Sequence, residues 1–169
     1  AWWGLRLATS WLGPVAAALG ALAAIRLFLA RELWTEDRTL PLGAHWPLYG
    51  YGIPVLLLWQ GARFLRRTGR EPFAVALEGA SLGLAISLVS LELRVLIGGN
   101  ITVEDPSFLE MAAHVMAWLG AAYGLMYRQR LFSSFVSLWG ARILLAVSLV
   151  AIVFFSCGAF NPVFTNEPL

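Results

Sequence analysis

Lysine is absent from this chain of 169 residues, and cysteine occurs once, at Cys157. A single thiol excludes an internal disulfide and any metal site built from several cysteines. Charge of either sign is scarce, at 13% of residues, about half the share that a soluble domain carries. Too few charged side chains remain to cover a water-exposed surface, because 59% of the residues are hydrophobic and the mean hydropathy is +0.72. Also missing are a Ser/His/Asp set, a Gly-rich phosphate loop and a zinc-binding HExxH pattern. No catalytic residue is assigned, and no cofactor or metal is expected. The twelve basic residues are all Arg and fall in short clusters, which reads as membrane topology instead of a nucleic-acid-binding face.

What the chain has is long uncharged runs. Dividing it at its charges gives apolar stretches at 7–30, 43–62, 73–97, 107–127 and 135–158, each near the roughly 20 residues that cross about 30 Å of hydrocarbon as a helix. The expected fold is therefore an all-α integral membrane bundle of five spans forming one domain over residues 1–169. The first stretch follows Arg6 and contains Ala21-Leu22-Ala23-Ala24, as a signal peptide would, but it is too long for such a core and is read as a span. Strands of a membrane barrel would alternate over about ten residues and are excluded by the same lengths. The opening Ala1-Trp2-Trp3 and the closing Asn166-Glu167-Pro168-Leu169 read as the edges of a piece of a longer protein.

Arginine sets the expected orientation, since short basic loops stay in the cytoplasm. Arg63, Arg66, Arg67 and Arg70 crowd the second connection, and Arg128 and Arg130 the fourth. The first connection balances Arg31 and Arg38 against Glu32, Glu36 and Asp37, while the third holds Glu104 and Asp105 with no base. The amino end is then cytoplasmic and the carboxyl end outside. Trp34, Trp46, Tyr49 and Tyr51 mark one interface, and Trp2, Trp3, Tyr123 and Tyr127 the other. Gly79 with Gly83, and Gly120 with Gly124, are spaced i to i+4, so the third and fourth spans are expected to approach closely there. Gly13 and Gly20 give the first span a similar smooth side.

Ionisable groups inside spans are costly and are functional candidates by default. Arg26, Glu92, Arg94, Glu110 and His114 all fall near the outer ends of their spans and form a candidate intramembrane polar cluster. Glu110 and His114 share a helix face, whereas Glu92 and Arg94 point in different directions. The plain reading is that these groups snorkel to headgroups; the alternatives are a binding or proton-handling cluster and ordinary salt bridging. Glu78 lies about 9 Å inside the cytoplasmic face and Arg142 deeper still, so the two are read as a candidate buried ion pair. His45 and His114 differ in height by about 6 Å, which speaks against their holding a haem. Pro47-Leu48-Tyr49-Gly50-Tyr51-Gly52-Ile53-Pro54 is too rich in Pro and Gly for a regular helix throughout, and is read as a helix start near the outer interface, with a broken helix as the alternative.

Leu48-Tyr49-Gly50-Tyr51-Gly52-Ile53-Pro54, Ala76-Leu77-Glu78, Ser90-Leu91-Glu92-Leu93-Arg94, the run from Glu110 to Trp118, and the closing Asn161-Pro162 with Glu167-Pro168-Leu169 occur in an order and spacing that resembles the large multi-pass bacterial membrane proteins grouped as domain of unknown function 2339. The resemblance covers roughly residues 33–169. It departs where a His- or aromatic-rich segment is expected after Glu92-Leu93-Arg94, since this chain has Val95-Leu96-Ile97-Gly98-Gly99. It implies a location in the bacterial inner membrane and a much longer parent chain, and it supplies no catalytic residue. The first span with Leu33-Trp34-Thr35-Glu36 also faintly parallels the fifth span with Val163-Phe164-Thr165-Asn166-Glu167, as copies of one repeat would. The expected function is that of a module of a larger envelope protein, in transport or as an assembly scaffold. The alternative is a membrane-embedded enzyme acting on a lipid-linked substrate at the outer leaflet. Expected partners are the lipid bilayer, the remaining membrane helices of the same longer chain and, as an open alternative, further copies of itself in a homo-oligomer; nucleic acid is not expected.

Overall fold

The computed structural model describes residues 46–98, 107–132 and 134–155, together with the single positions Val15, Ala18, Gly20, Leu22 and Ile25, all five of them helical. Four helices run through the continuous stretches: α1 (Trp46–Arg67), α2 (Glu71–Gly98), α3 (Phe108–Phe132) and α4 (Phe135–Phe154). Among the described residues there is no strand. By length and composition α2, over Glu71–Ile97, and α4 can each cross a membrane. The rest of the first expected span, together with Arg26 and His45, lies outside the described residues.

The chain forms two compact units, Ala1–Leu88 and Val89–Leu169, and α2 runs through both. In the first unit α1 buries Tyr51, Leu58, Ala62 and Leu65, which share one face at helical spacing. The Pro- and Gly-rich opening is the start of a helix, as expected from the sequence, and it is helical throughout from Trp46, which corrects only the expectation that so much Pro and Gly would interrupt it. Pro47 stands in the first turn, where its missing N–H has no intrahelical partner to lose, and Pro54 forgoes only the bond to Gly50. Beyond Arg67 the chain reverses at Gly69, whose φ of 76° is left-handed backbone that suits glycine. There the Gly69 N–H donates to the Arg66 carbonyl (3.2 Å) and the Arg70 N–H to that of Leu65 (3.0 Å), so the last carbonyls of α1 are satisfied. The Ser81 hydroxyl donates to the Val55 carbonyl (2.9 Å) and ties α2 to α1.

The second unit holds the end of α2 with α3 and α4, and α3 packs along α4. Ser107 and Ser134 cap the two helices, their hydroxyls accepting from the N–H groups of Glu110 (3.2 Å) and Ser137 (3.4 Å). On α4 the buried stripe is Ser137, Ala141, Leu144, Ser148 and Ala151, small enough on the whole for a neighbouring backbone to come near.

At Gly79, Gly83, Gly120 and Gly124, where close packing was expected, an added Cβ would meet no atom of the described residues within 4 Å. Spacing alone places two glycines on one face, but it does not by itself make that face a contact. Among the described glycines the tightest is Gly20, where a Cβ would lie 2.5 Å from Leu58 Cδ2 and 3.1 Å from Leu77 Cδ2. Gly20→Leu is therefore expected to cost about 1–3 kcal/mol through overpacking. Gly83→Ala is expected to be neutral or to stabilise by up to about 1 kcal/mol, because it removes unfolded-state freedom without a clash. Reversible denaturation in mixed micelles measures both, and equal losses at the two positions would contradict this assignment.

Candidate functional site

The polar groups that the second unit gathers come from one face of α2 and one face of α3. Ser90 and Arg94 are four residues apart on α2, and Glu110, His114 and Trp118 follow at successive turns of α3. Arg94 Nε lies 3.7 Å from Glu110 Oε1, with side-chain exposures of 20% and 8%. His114 is buried, its Nδ1 standing 2.7 Å from the Glu110 carbonyl of its own helix and its Nε2 3.0 Å from the Ser90 carbonyl of α2. Trp118 Nε1 donates to the Ser90 hydroxyl at 3.1 Å, and its ring meets the imidazole edge-on at 5.9 Å. Three turns of α3 thus converge on one turn of α2.

The chemistry open to this arrangement follows from its donors and acceptors. Both oxygens facing the imidazole are carbonyls and accept only. A neutral imidazole has one N–H and serves one of them, whereas a doubly protonated ring serves both. Arg94 and Glu110 are turned toward each other.

Of the expected cluster, then, the structure brings together Arg94, Glu110 and His114. Glu92 does not join them. It sits two residues from both Ser90 and Arg94, about 200° around α2, and its buried Oε1 has no hydrogen-bond partner among the described residues. Arg26 falls outside the described residues. Ser90 and Trp118 complete the contact and were not singled out from the sequence as site residues, although the spacing of Ser90 to Arg94 and of His114 to Trp118 carries the signal.

The other expected site changes its cation. Glu78 is buried on α2 and accepts from Arg66 Nη2, across the α1–α2 turn, while Arg66 Nε also lies 3.5 Å from Glu71 Oε2. Sequence reasoning gave Glu78 to Arg142 on grounds of depth. Arg142 is instead exposed, about 140° around α4 from the buried stripe, with its guanidinium 5.4 Å from the centre of the Trp139 ring. It lies only seven residues into α4, about 10 Å, and its side chain runs back toward the helix start, so it needs no buried acid. Arg66 was assigned to the basic loop as a topology signal. Its second role follows from the short Gly69 turn, which folds α2 back beside the end of α1.

Compared with family models, with curated proteins and with solved structures, the chain matches none. The functional reading therefore rests on the chemistry of these residues.

Proposed function

We propose that the chain is a multi-pass module of a larger protein of the bacterial inner membrane, resembling domain of unknown function 2339. In this reading it has five spans, its amino end in the cytoplasm and its carboxyl end outside, and it serves transport or assembly instead of catalysis. The observation that carries the reading is an outer surface of large apolar side chains over an interior that holds ionisable groups. Leu56, Leu57, Met116, Ile143, Val150 and Val153 are exposed, while Glu78, Ser81, Glu110, His114, Ser137 and Ser148 are buried beside the apolar core. Water disfavours so much outward apolar surface; hydrocarbon makes it, and inward-facing polar groups, the stable choice. A scaffold is favoured over an enzyme because Arg94, Glu110 and His114 engage one another and the backbone, and Glu92 lies on another side of α2. An enzyme acting on a lipid-linked substrate would need all four to converge on an opening to the outer leaflet.

Cysteine accessibility tests the topology. In a chain carrying Cys157→Ser, Thr68→Cys is expected to react with an impermeant maleimide only from the cytoplasmic side, and Val103→Cys only from the outer side. The reverse pattern overturns the orientation. Release of the chain from membranes by alkaline carbonate overturns the membrane reading itself.

A further inference from the structure

The exposed face of α1 changes character in one direction along the helix. Ile53, Leu56, Gln60, Arg63 and Arg67 fall on one stripe at helical spacing, with Trp59 at its edge, opposite the buried Tyr51, Leu58, Ala62 and Leu65. From Leu56 to Arg67 the stripe climbs about 16 Å, passing from aliphatic through aromatic to cationic. That is the order in which a leaflet presents acyl chains, the glycerol region and phosphate. Arg63 is held in place on this face, its guanidinium 4.6 Å from the centre of the Trp59 ring. Arg66 points elsewhere and is engaged by Glu71 and Glu78. No acidic residue occurs in α1, so nothing on the helix itself neutralises Arg63 and Arg67.

We propose that Trp59, Arg63 and Arg67 form a docking surface for the phosphate of an anionic phospholipid, whose acyl chains lie along Leu56 and Ile53. The proposal rests on the membrane reading above and names the lipid that this part of the module takes. Arginine suits the role because its planar fork meets phosphate oxygens in pairs, and an indole at the glycerol level orients the guanidinium without competing for the anion. A phosphatidylglycerol-type headgroup supplies the single negative charge, whereas a zwitterionic headgroup brings an ammonium that the two guanidinium groups repel.

The test uses the full chain in detergent micelles with equal amounts of dioleoylphosphatidylglycerol and dioleoylphosphatidylcholine, and native mass spectrometry to count retained lipid. The expected result is preferential retention of phosphatidylglycerol, falling roughly fivefold for Arg63→Gln or Arg67→Gln and about thirtyfold for both together. Arg130→Gln, at the end of α3, is expected to leave the preference intact, and the Arg63→Lys/Arg67→Lys pair to keep most of it. Circular dichroism shows that each variant retains its helices. An unchanged preference in the double Gln variant overturns the proposal, as does an equal fall in Arg130→Gln, which would make the effect one of net charge. Displacement of the lipid by millimolar inorganic phosphate overturns it as well, because the surface would then be a free-phosphate site. Loss of the phosphatidylglycerol preference with both lipids still retained sinks this proposal alone, whereas a chain that needs no detergent and retains neither lipid sinks the membrane reading with it.

Discussion

Replacing Arg94 with Leu is expected to cost about 3 kcal/mol of stability. Glu110, whose side chain is 8% exposed, would lose its cation while its oxygens stay shut away from water. Removing one member of a buried pair is expensive because the other is left as an uncompensated charge, not because the pair itself is strong. The 3.7 Å separation and the partial exposure of Arg94 place the effect at the lower end of the usual range. Adding Glu110→Gln should recover at least about 1 kcal/mol, since an amide is less costly to leave there than a carboxylate. A double-mutant cycle in bicelles measures the coupling, and strictly additive losses would show that Arg94 and Glu110 do not act as a pair.

The second large effect is expected at Arg66. Arg66→Leu leaves the buried Glu78 without the guanidinium it accepts from and should cost about 2 kcal/mol, reduced from the fully buried case because Arg66 itself is 42% exposed. Arg66→Lys should restore part of the loss, retaining charge without the fork that reaches Glu71 and Glu78 together. Arg142→Leu supplies the contrast. That side chain is exposed and stacks on Trp139, so its removal should change stability by less than about 1 kcal/mol. Unfolding midpoints of the three variants under one set of conditions decide the matter, and a larger loss at Arg142 than at Arg66 would reverse the assignment.

Much of the site was legible as positions and little of it as partners. The ionisable residues in apolar runs named Arg94, Glu110 and His114, and i to i+4 spacing put the last two on one face of α3. Depth along each helix then suggested which groups stand at similar heights. It failed for Glu78, because heights counted along separate helices ignore the turn at Gly69, which sets Arg66 beside Glu78. It failed for Arg142 because a long side chain reaches back along its own helix. Glycine spacing misled in the same way: among the described residues nothing lies within 4 Å of an added Cβ at Gly79, Gly83, Gly120 or Gly124, whereas Gly20 is tightly packed.

The sequence by itself determined that the described chain is helical and where its four helices begin and end to within about five residues; it read every one of them as a span, and two of the described helices, α2 and α4, are long and apolar enough to cross a membrane. Those properties depend on the lengths of apolar runs and on where charge interrupts them, and both are written in one dimension. Which way each helix turns about its axis was decided only in three dimensions. Helix α2 is apolar nearly all round, so its pattern of side chains distinguishes no face, and its rotation is set by specific polar contacts: Ser90 with His114 and Trp118, Arg94 with Glu110, Ser81 with the Val55 carbonyl, and Glu78 with Arg66.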